Sequence, residues 1–209
     1  MLVKVVRDNG VTSLHTGHGV GALVSGQAMV VKTNSGTVEE VVIKPLAMLA
    51  MTLGPSVSGN FSSPGTSAKQ VAMIRTELLK AQAHTKKMAD KDSTKRPAAD
   101  LKMDVLARLL NGEIKGLITA NKSTDIMSAI RLAKEFNFKL VLNGAAEAYR
   151  LIPQIKAAGA GIVLHATMAR DGADMSNMTR ESAAILTAAG IPVSIETGYE
   201  AYVPKTRIL

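Results

Sequence analysis

Cysteine and tryptophan are both absent from this 209-residue chain, and aromatic residues make up only 3% of it. Without cysteine the chain can form no disulfide, provide no cysteine nucleophile and offer no thiolate to zinc. This absence favours a reducing compartment, so we expect a cytoplasmic protein. No apolar run approaches the length of a membrane span, and the first residues lack the features of a signal peptide. We therefore expect no association with a membrane.

The residues that are present suit one domain in which helices pack on a sheet. Hydrophobic residues make up 46% of the chain, and eleven of them are methionine, so the core must be almost entirely aliphatic. We expect a single domain over residues 1–209, with an irregular β-rich part (1–66), a helical segment (67–114) and regular βα units (115–209).

Basic residues outnumber acidic ones by 25 to 17, which gives a net charge of +8. Six of the basic residues lie between Lys80 and Arg96. No aromatic residues are interleaved with them, so this stretch offers no platform for stacking bases. We expect a solvated helix end there and no nucleic-acid partner.

Short apolar runs alternate with segments of helical periodicity in the second half of the chain. The runs predict buried strands at residues 115–121, 139–144, 161–167 and 191–197. The segments between them predict helices at residues 123–136, 147–159 and 179–190. Ser123 or Thr124 would cap the first of these helices, and Thr179 would cap the last. Strands and helices that alternate in this way indicate a parallel sheet, either doubly wound or closed into a barrel.

The first half is less regular. Two β-rich runs flank the turn residues 34–37 and predict a hairpin. A further apolar run (46–54) and a Ser/Gly/Pro-rich loop (55–67) follow. The periodicity then predicts a long helix over residues 68–88 and another over residues 101–111.

Three stretches of the sequence have the character of family motifs. They read GVTSLHTGHGVGALVSGQAMVVK with GTVEEVVIKP, then DIMSAIRLAKEFNFKLVLNGAAEAY, and finally AAILTAAGIPVSIETGYEAYVPKTRIL. These stretches resemble the corresponding segments of imidazolonepropionase-like amidohydrolases. The resemblance covers nearly the whole chain and is weakest in the Ser/Gly/Pro-rich loop and the basic helix.

The resemblance implies a distorted (β/α)₈ barrel of the TIM type that binds one or two divalent metal ions, such as zinc, at its mouth. The metal would activate water for hydrolysis of amide or cyclic amide C–N bonds. The first barrel strand, with a His-x-His ligand pair, would precede residue 1, and the final helix would follow residue 209. We therefore expect an α/β fold that is a partial barrel of this metal-dependent hydrolase kind, truncated at both ends.

The remaining ligand positions of the family carry other residues in this chain. Thr119 and Asn121 stand where the fifth strand has histidine, and Gly144 stands where the sixth has it. Gly198 stands where the last strand has the aspartate that accepts a proton from water. None of these side chains replaces imidazole or carboxylate at a zinc site. We therefore expect the usual metal site to be missing, and we assign no cofactor.

Polar residues at the ends of predicted strands are the candidates for lining a pocket. They are His15, His18, Thr119, Asn121, Asn143, His165 and Glu196. The His15–His18 pair could bind a metal, but no carboxylate nearby completes a ligand set. His165 could contact a ligand or act as a general acid, or it could be a buried, hydrogen-bonded histidine. Glu196 could act as a base. The sequence assigns no catalytic residue.

Three functions remain open at this point. The chain could supply part of an amidohydrolase-type hydrolase, or it could be a catalytically inactive structural or ligand-binding barrel module of a larger protein. A basic surface for nucleic acid is the weakest of the three because it depends on charge alone. The partner would be a small-molecule substrate or ligand. An incomplete barrel leaves strand edges open, so we also expect a homo-oligomer or association with the missing barrel portions.

Overall fold

One seven-stranded sheet forms the centre of the molecule in a computed structural model, which describes residues 2–17, 19–60, 64–165 and 173–196. The strands follow one another across the sheet in chain order. They are β1 (Ser13–Thr16), β2 (Val24–Lys32), β3 (Val42–Thr52), β4 (Lys115–Ala120), β5 (Leu140–Gly144), β6 (Gly161–Leu164) and β7 (Val193–Ile195).

The sheet changes from antiparallel to parallel at β3. The first three strands pair antiparallel, and β3 to β7 pair parallel in sequential order. The sheet curls into part of a barrel. The expected α/β fold is therefore confirmed at this level. Within the described ranges, β1 and β7 form the two edges of the sheet.

Eight α-helices accompany the sheet in the described residues. They are α1 (Leu2–Asp8), α2 (Val38–Val41), α3 (Pro55–Asn60), α4 (Ser67–Met88), α5 (Leu101–Leu110), α6 (Ser123–Phe136), α7 (Ile152–Ala157) and α8 (Ser182–Ala188). None of these helices is long and apolar enough to cross a membrane.

One large core, built mostly from aliphatic residues, joins one face of the sheet to α4–α8. On β4, Ile118 and Ala120 are fully buried in this core, and Leu142 and Leu164 extend it across β5 and β6. On α6, three apolar residues spaced for one helical face, Ile126, Ile130 and Ala133, are buried against it. The helices therefore cover one face of the parallel strands, and the strand residues between these positions point to the other face.

The predicted caps of two helices are wrong, and one of these helices also begins later than predicted. The residue before α6 is Lys122, which makes no side-chain cap, because the Ser123 hydroxyl donates instead to Glu147. The last helix begins at Ser182 rather than at residue 179, and Thr179 accepts a hydrogen bond from the Glu181 N–H in the turn before it. In both places the hydroxyl predicted to cap the helix makes a different hydrogen bond. The Ser123 hydroxyl bonds to the distant Glu147, and the Thr179 hydroxyl bonds to the nearby Glu181.

Two predicted elements differ in extent from those of the structure. The helix predicted over residues 147–159 is divided into a 3₁₀ turn (Ala148–Arg150) and α7, because Pro153 has no N–H to continue the preceding turn and is tolerated only in the first turn of a helix. The predicted hairpin is confirmed by the β2–β3 pairing, with α2 inside its turn. The separate apolar run predicted after it is the continuation of β3, a single strand of 11 residues.

Candidate functional site

Polar residues of adjacent parallel strands lie in one row on the face of the sheet that points away from the helices. The strand register places Thr52 beside Thr119, Thr119 beside Asn143, and continues the row to β6 and β7 through Val163 and Ser194. Because in-register residues point to the same face, this row crosses five strands near their carboxyl ends. In parallel α/β sheets and barrels, this is the edge where ligands bind.

A second row follows two residues further along three of these strands. Asn121, His165 and Glu196 occupy it, and each of them directly follows the last residue of its strand. The ladder continues to this point, because the His165 N–H donates to the Gly144 carbonyl and the Glu196 N–H donates to the Leu164 carbonyl. The two rows therefore bring Thr119, Asn121, Asn143, His165 and Glu196 to one face of one sheet edge.

Side-chain amides form hydrogen bonds within the first row, and from the second row to the segment before α8 and to the turn after β5. Asn143 Nδ2 donates to Thr119 Oγ1 at 3.0 Å. Asn121 Nδ2 donates to Asp174 Oδ2 at 3.0 Å, and Asn121 Oδ1 accepts the Ala146 N–H at 3.4 Å. Asn121 and Asn143 are both more than nine-tenths buried. Buried amides need partners, so this network holds their orientation and leaves part of their hydrogen-bonding capacity for a ligand.

Glu147 forms hydrogen bonds to two of the segments that surround this edge. Its Oε2 accepts hydrogen bonds from the N–H and the hydroxyl of Ser123, at 2.8 and 2.6 Å, and its Oε1 accepts one from Asn177 Nδ2 at 2.6 Å. Burial alone would raise the pKa of Glu147, but these hydrogen bonds and the attraction of Arg150 outweigh it and lower the pKa to about 2. Glu147 is therefore a structural carboxylate that is ionised at neutral pH.

The turn after β3 closes the other side of the edge. Gln70 on α4 is 1% exposed and binds both backbone groups of Gly54, accepting from its N–H at 2.8 Å and donating to its carbonyl at 3.0 Å. Gly54 has a φ of +118°, which only glycine adopts readily. A β-carbon at Gly54 would lie 3.2 Å from Asp125 Oδ2 and 3.9 Å from Asp174 Oδ2. Two carboxylates thus lie on the side of Gly54 where a side chain would stand, and the nearer one would crowd it.

Glu196 and His165 are neighbours on the last two described strands. Burial raises the pKa of the Glu196 carboxyl, and the nearby charge of His165 acts in the opposite direction. A carboxyl that is more basic than usual beside an imidazole has the composition of a general acid–base pair.

The early histidine lies far from this edge. His15 is exposed on the edge strand β1 and pairs with Val30, which in turn pairs with Lys44 near the start of β3. Lys44 is eight residues before Thr52, or roughly 26 Å along the strand. His18 and Gly198 lie outside the described residues. A pocket role for His15 or His18 stays a prediction, as does the assignment of Gly198.

The residues that the resemblance places at metal-ligand positions do not offer the groups that bind zinc. Thr119 Oγ1 already accepts the Asn143 amide, both groups of the Asn121 amide are hydrogen-bonded, and Gly144 has no side chain. A β-carbon at Gly144 would also lie 2.5 Å from Asn121 Oδ1, so no larger ligand side chain fits there without displacing Asn121. Across the described part of the chain, no three His, Asp or Glu side chains are grouped so that they could hold a metal ion.

Several residues at this edge cannot be identified from patterns in the sequence. Asp125 has the position of an ordinary acidic residue in the first turn of a helix, Asp174 lies in an irregular segment, and Gln70 lies on a long polar helix. No spacing in the sequence connects residues that are more than fifty positions apart. A glutamine in a buried stripe of α4, together with Ile74, Leu78 and Ala81, is the only local sign that Gln70 has a buried partner.

A cavity of about 650 Å³ lies elsewhere, on the helical side of β2 and β3. It is lined mainly by apolar residues of α4, α5 and the two strands, and Glu77 and Lys102 lie at its rim. These two side chains form an ion pair at 2.5 Å. None of the polar residues of the strand-end rows lines this cavity.

A solved structure has the same fold. An amidohydrolase from Thermotoga maritima MSB8 superimposes with a TM-score of 0.89 and 29% sequence identity, over 95% of this chain and 54% of that protein. The chain thus spans about half the length of that amidohydrolase. No family model matches the chain, and no curated protein matches it either. The predicted amidohydrolase-type fold is therefore confirmed, and the chain forms part of a hydrolase-like barrel.

Proposed function

We propose that this chain is a module of a TIM-type barrel of the imidazolonepropionase-like branch, which binds a small molecule containing an amide or cyclic amide group. Other polypeptide would complete the barrel. In this proposal the module binds its ligand without the usual metal centre and does not hydrolyse it. The partner is a small molecule, and neither nucleic acid nor a membrane is involved.

The observation that carries the proposal is the hydrogen-bonded row of Thr119 and Asn143 with Asn121 beside it. These residues stand on the ligand-binding edge of an amidohydrolase fold, but they offer amide and hydroxyl groups where zinc needs imidazole or carboxylate. A carboxamide side chain provides a donor and an acceptor side by side, which matches the donor and acceptor of an amide ligand. Binding of an amide is therefore the chemistry that these side chains retain.

Binding of 2-pyrrolidinone, a simple cyclic amide, to the purified chain tests this function. We expect Asn143→Leu to weaken binding by about two- to tenfold, the effect of losing one neutral hydrogen bond. Asn34→Leu, on the exposed turn between β2 and β3, should leave the affinity unchanged. Elemental analysis should find no stoichiometric zinc, manganese or iron. Stoichiometric metal that is lost on substitution of His15, His18 or His165 would contradict the proposal of a module without a metal centre.

One observation favours the hydrolase as a second candidate. The Glu196 carboxyl, with its raised pKa, lies beside His165 at the same sheet edge as Thr119, Asn121 and Asn143. Such a pair can activate water by taking its proton. If the chain is a hydrolase, it will release ammonia or amine from amide substrates, and Glu196→Gln will abolish that release with little effect on amide affinity. No turnover by the unmodified chain would leave the binding module as the function.

A further inference from the structure

The cavity between α4, α5 and the β2–β3 hairpin has the size and the walls of a binding site for an apolar group. Its volume, about 650 Å³, lies within the range of about 300–1,000 Å³ that is usual for small-molecule sites. Leu49, Ile74 and Leu106 line it, and each of them is no more than 2% exposed. Water finds few hydrogen-bonding partners among such walls, so an apolar group fills the space more favourably.

The backbone of β2 contributes to this space. The pairing of β2 with β3 shifts in register between Val24 and Gly26, an irregularity of the β-bulge type, and both residues line the cavity. Gly26 has a φ of +128°, a conformation that residues with a side chain rarely adopt. The wall of the cavity therefore has no side chain at this point.

Large apolar side chains are exposed where the cavity opens to solvent. Leu101, the first residue of α5, is 81% exposed, and Met73 on α4 is 38% exposed, and both line the cavity. Exposed apolar residues that lie together are typical of places where a ligand or partner binds. A hydrocarbon chain that entered the cavity would pack against the buried residues inside and against these two at the opening.

The charged groups at the rim offer hydrogen-bond donors with a net positive charge. Glu77 Oε1 pairs with Lys80 Nζ at 2.9 Å, and Glu77 Oε2 pairs with Lys102 Nζ at 2.5 Å. Lys102 and then Lys80 lower the pKa of Glu77, so this carboxylate is ionised at neutral pH with both oxygens engaged. Each ammonium group has three N–H donors, of which Glu77 takes one. The capacity that remains at the rim suits an anion.

We propose that this cavity binds a straight-chain aliphatic carboxylate of medium length, with its hydrocarbon chain inside the cavity and its carboxylate at Lys102. None of the polar residues of the strand-end rows lines the cavity, so this inference goes beyond the proposed amide binding and does not depend on it. A carboxylate accepts charge-assisted hydrogen bonds from ammonium donors. An alkylammonium ligand fits less well, because Glu77, the carboxylate that lines the cavity, already has both oxygens in ion pairs.

Titration calorimetry of the unmodified chain at pH 7 with hexanoate, octanoate and 1-octanol tests this site. We expect octanoate to bind roughly tenfold more tightly than hexanoate, because two further methylene groups are buried. Octanoate should bind about two- to fivefold more tightly than 1-octanol, the effect of one exposed ion pair. An affinity that does not rise with chain length, or equal binding of octanoate and 1-octanol, would overturn the proposal.

Two substitutions at the rim should act in opposite directions. Lys102→Gln should remove the preference for octanoate over 1-octanol, because the bound carboxylate loses its ion pair. Glu77→Gln should increase that preference by about two- to fivefold, because Lys80 and Lys102 no longer share a carboxylate of the protein. Lys69→Gln is the matched control: Lys69 is also an exposed lysine in the first turn of a helix, but it does not line the cavity. It should keep the preference of the unmodified chain.

Substitutions that fill the cavity test where the hydrocarbon chain lies. Val105→Trp on α5 and Met73→Trp on α4 should each abolish measurable binding of octanoate, because both residues line the cavity and neither is buried. The two variants lie on different helices, so the measurement remains possible if one of them unfolds, and circular dichroism identifies the folded ones. Octanoate binding that persists in a folded tryptophan variant would contradict the proposal. Failure of the unmodified chain to bind octanoate would also overturn it and would favour a cavity that further barrel polypeptide fills.

Discussion

Glu147 accepts hydrogen bonds from the start of α6 and from the segment before α8, and it lies in the turn that follows β5. Its pKa, about 2 in the folded chain against an ordinary 4.5, means that the folded state prefers the ionised form. Stabilisation from this group is therefore complete above pH 4.5 and is lost as the pH falls from there towards 2. Its full size is about 3 kcal/mol, since one pKa unit corresponds to about 1.4 kcal/mol.

We expect Glu147→Gln to lower the free energy of unfolding by about 2–3 kcal/mol at pH 7 and by much less at pH 2.5. Urea denaturation of both proteins across this pH range measures the difference. Glu113→Gln, which replaces an exposed side chain before β4, is the control. It should not change the free energy of unfolding appreciably at either pH. A difference that does not depend on pH would show that the charge of Glu147 is not what stabilises the fold.

At Gly144 both the backbone conformation and the surrounding side chains oppose a larger residue. Its φ is +77°, and a β-carbon would meet Asn121 Oδ1 at 2.5 Å. Gly112 has almost the same backbone, with a φ of +76°, but has nothing within 4 Å of a β-carbon. Gly144→Ala should therefore cost more stability than Gly112→Ala, which carries only the backbone penalty of about 1 kcal/mol.

Thermal or urea unfolding of the two alanine variants measures that difference directly. We expect Gly144→Ala to be less stable than Gly112→Ala by about 1–3 kcal/mol, because the Asn121 network must shift or break. Equal losses would mean that Asn121 moves aside freely. In that case a histidine at residue 144 could be accommodated, and the argument against a metal ligand there would fail.

Among the elements, the parallel strands and α6 could be predicted from the sequence because burial gives them a strong pattern. All five residues of β5 are buried, and the apolar run Leu140–Leu142 marks it in the sequence. The helix caps and the break before α7 are harder to predict, because a distant contact occupies the Ser123 hydroxyl, a local turn occupies that of Thr179, and Pro153 interrupts the helical pattern. The strand-end residues Thr119, Asn121 and Asn143 were predicted because they follow apolar runs, whereas Asp125, Asp174 and Gln70 join them only through the tertiary fold.

The end of α6 offers a test at the scale of the element. Asn137 follows the helix with a φ of +54° and a left-handed backbone, and its N–H donates to the Ala133 carbonyl. Glycine and asparagine tolerate this geometry, and alanine does not. We expect Asn137→Ala to lower the free energy of unfolding by about 1 kcal/mol and Asn137→Gly to leave it within about 0.5 kcal/mol. Chemical denaturation compares the two, and equal effects would contradict a role for backbone geometry.

At the scale of the whole molecule, the sheet is a curled ladder with an edge at each end of its described part. β7 is a short strand that pairs with β6 on one side, and its Ile195 is 39% exposed. In a closed barrel each strand has two neighbours, so we propose that a further strand pairs with β7. The sequence suggested either self-association or pairing with further barrel polypeptide, and the exposed apolar residue on β7 favours this edge as the place of contact.

We therefore expect the purified chain to self-associate through β7, with a larger apparent mass at higher concentration in light scattering. Ile195→Lys should shift the equilibrium towards the monomer, because a charge on an edge strand opposes pairing. Ile43→Lys is the matched control: Ile43 is also exposed, at 52%, but its strand is already paired with β2. If the unmodified chain remains a monomer at all concentrations, or if both variants dissociate alike, then β7 is not the interface. Loss of association in Ile195→Lys alone would identify β7 as the edge at which this half of a barrel is completed.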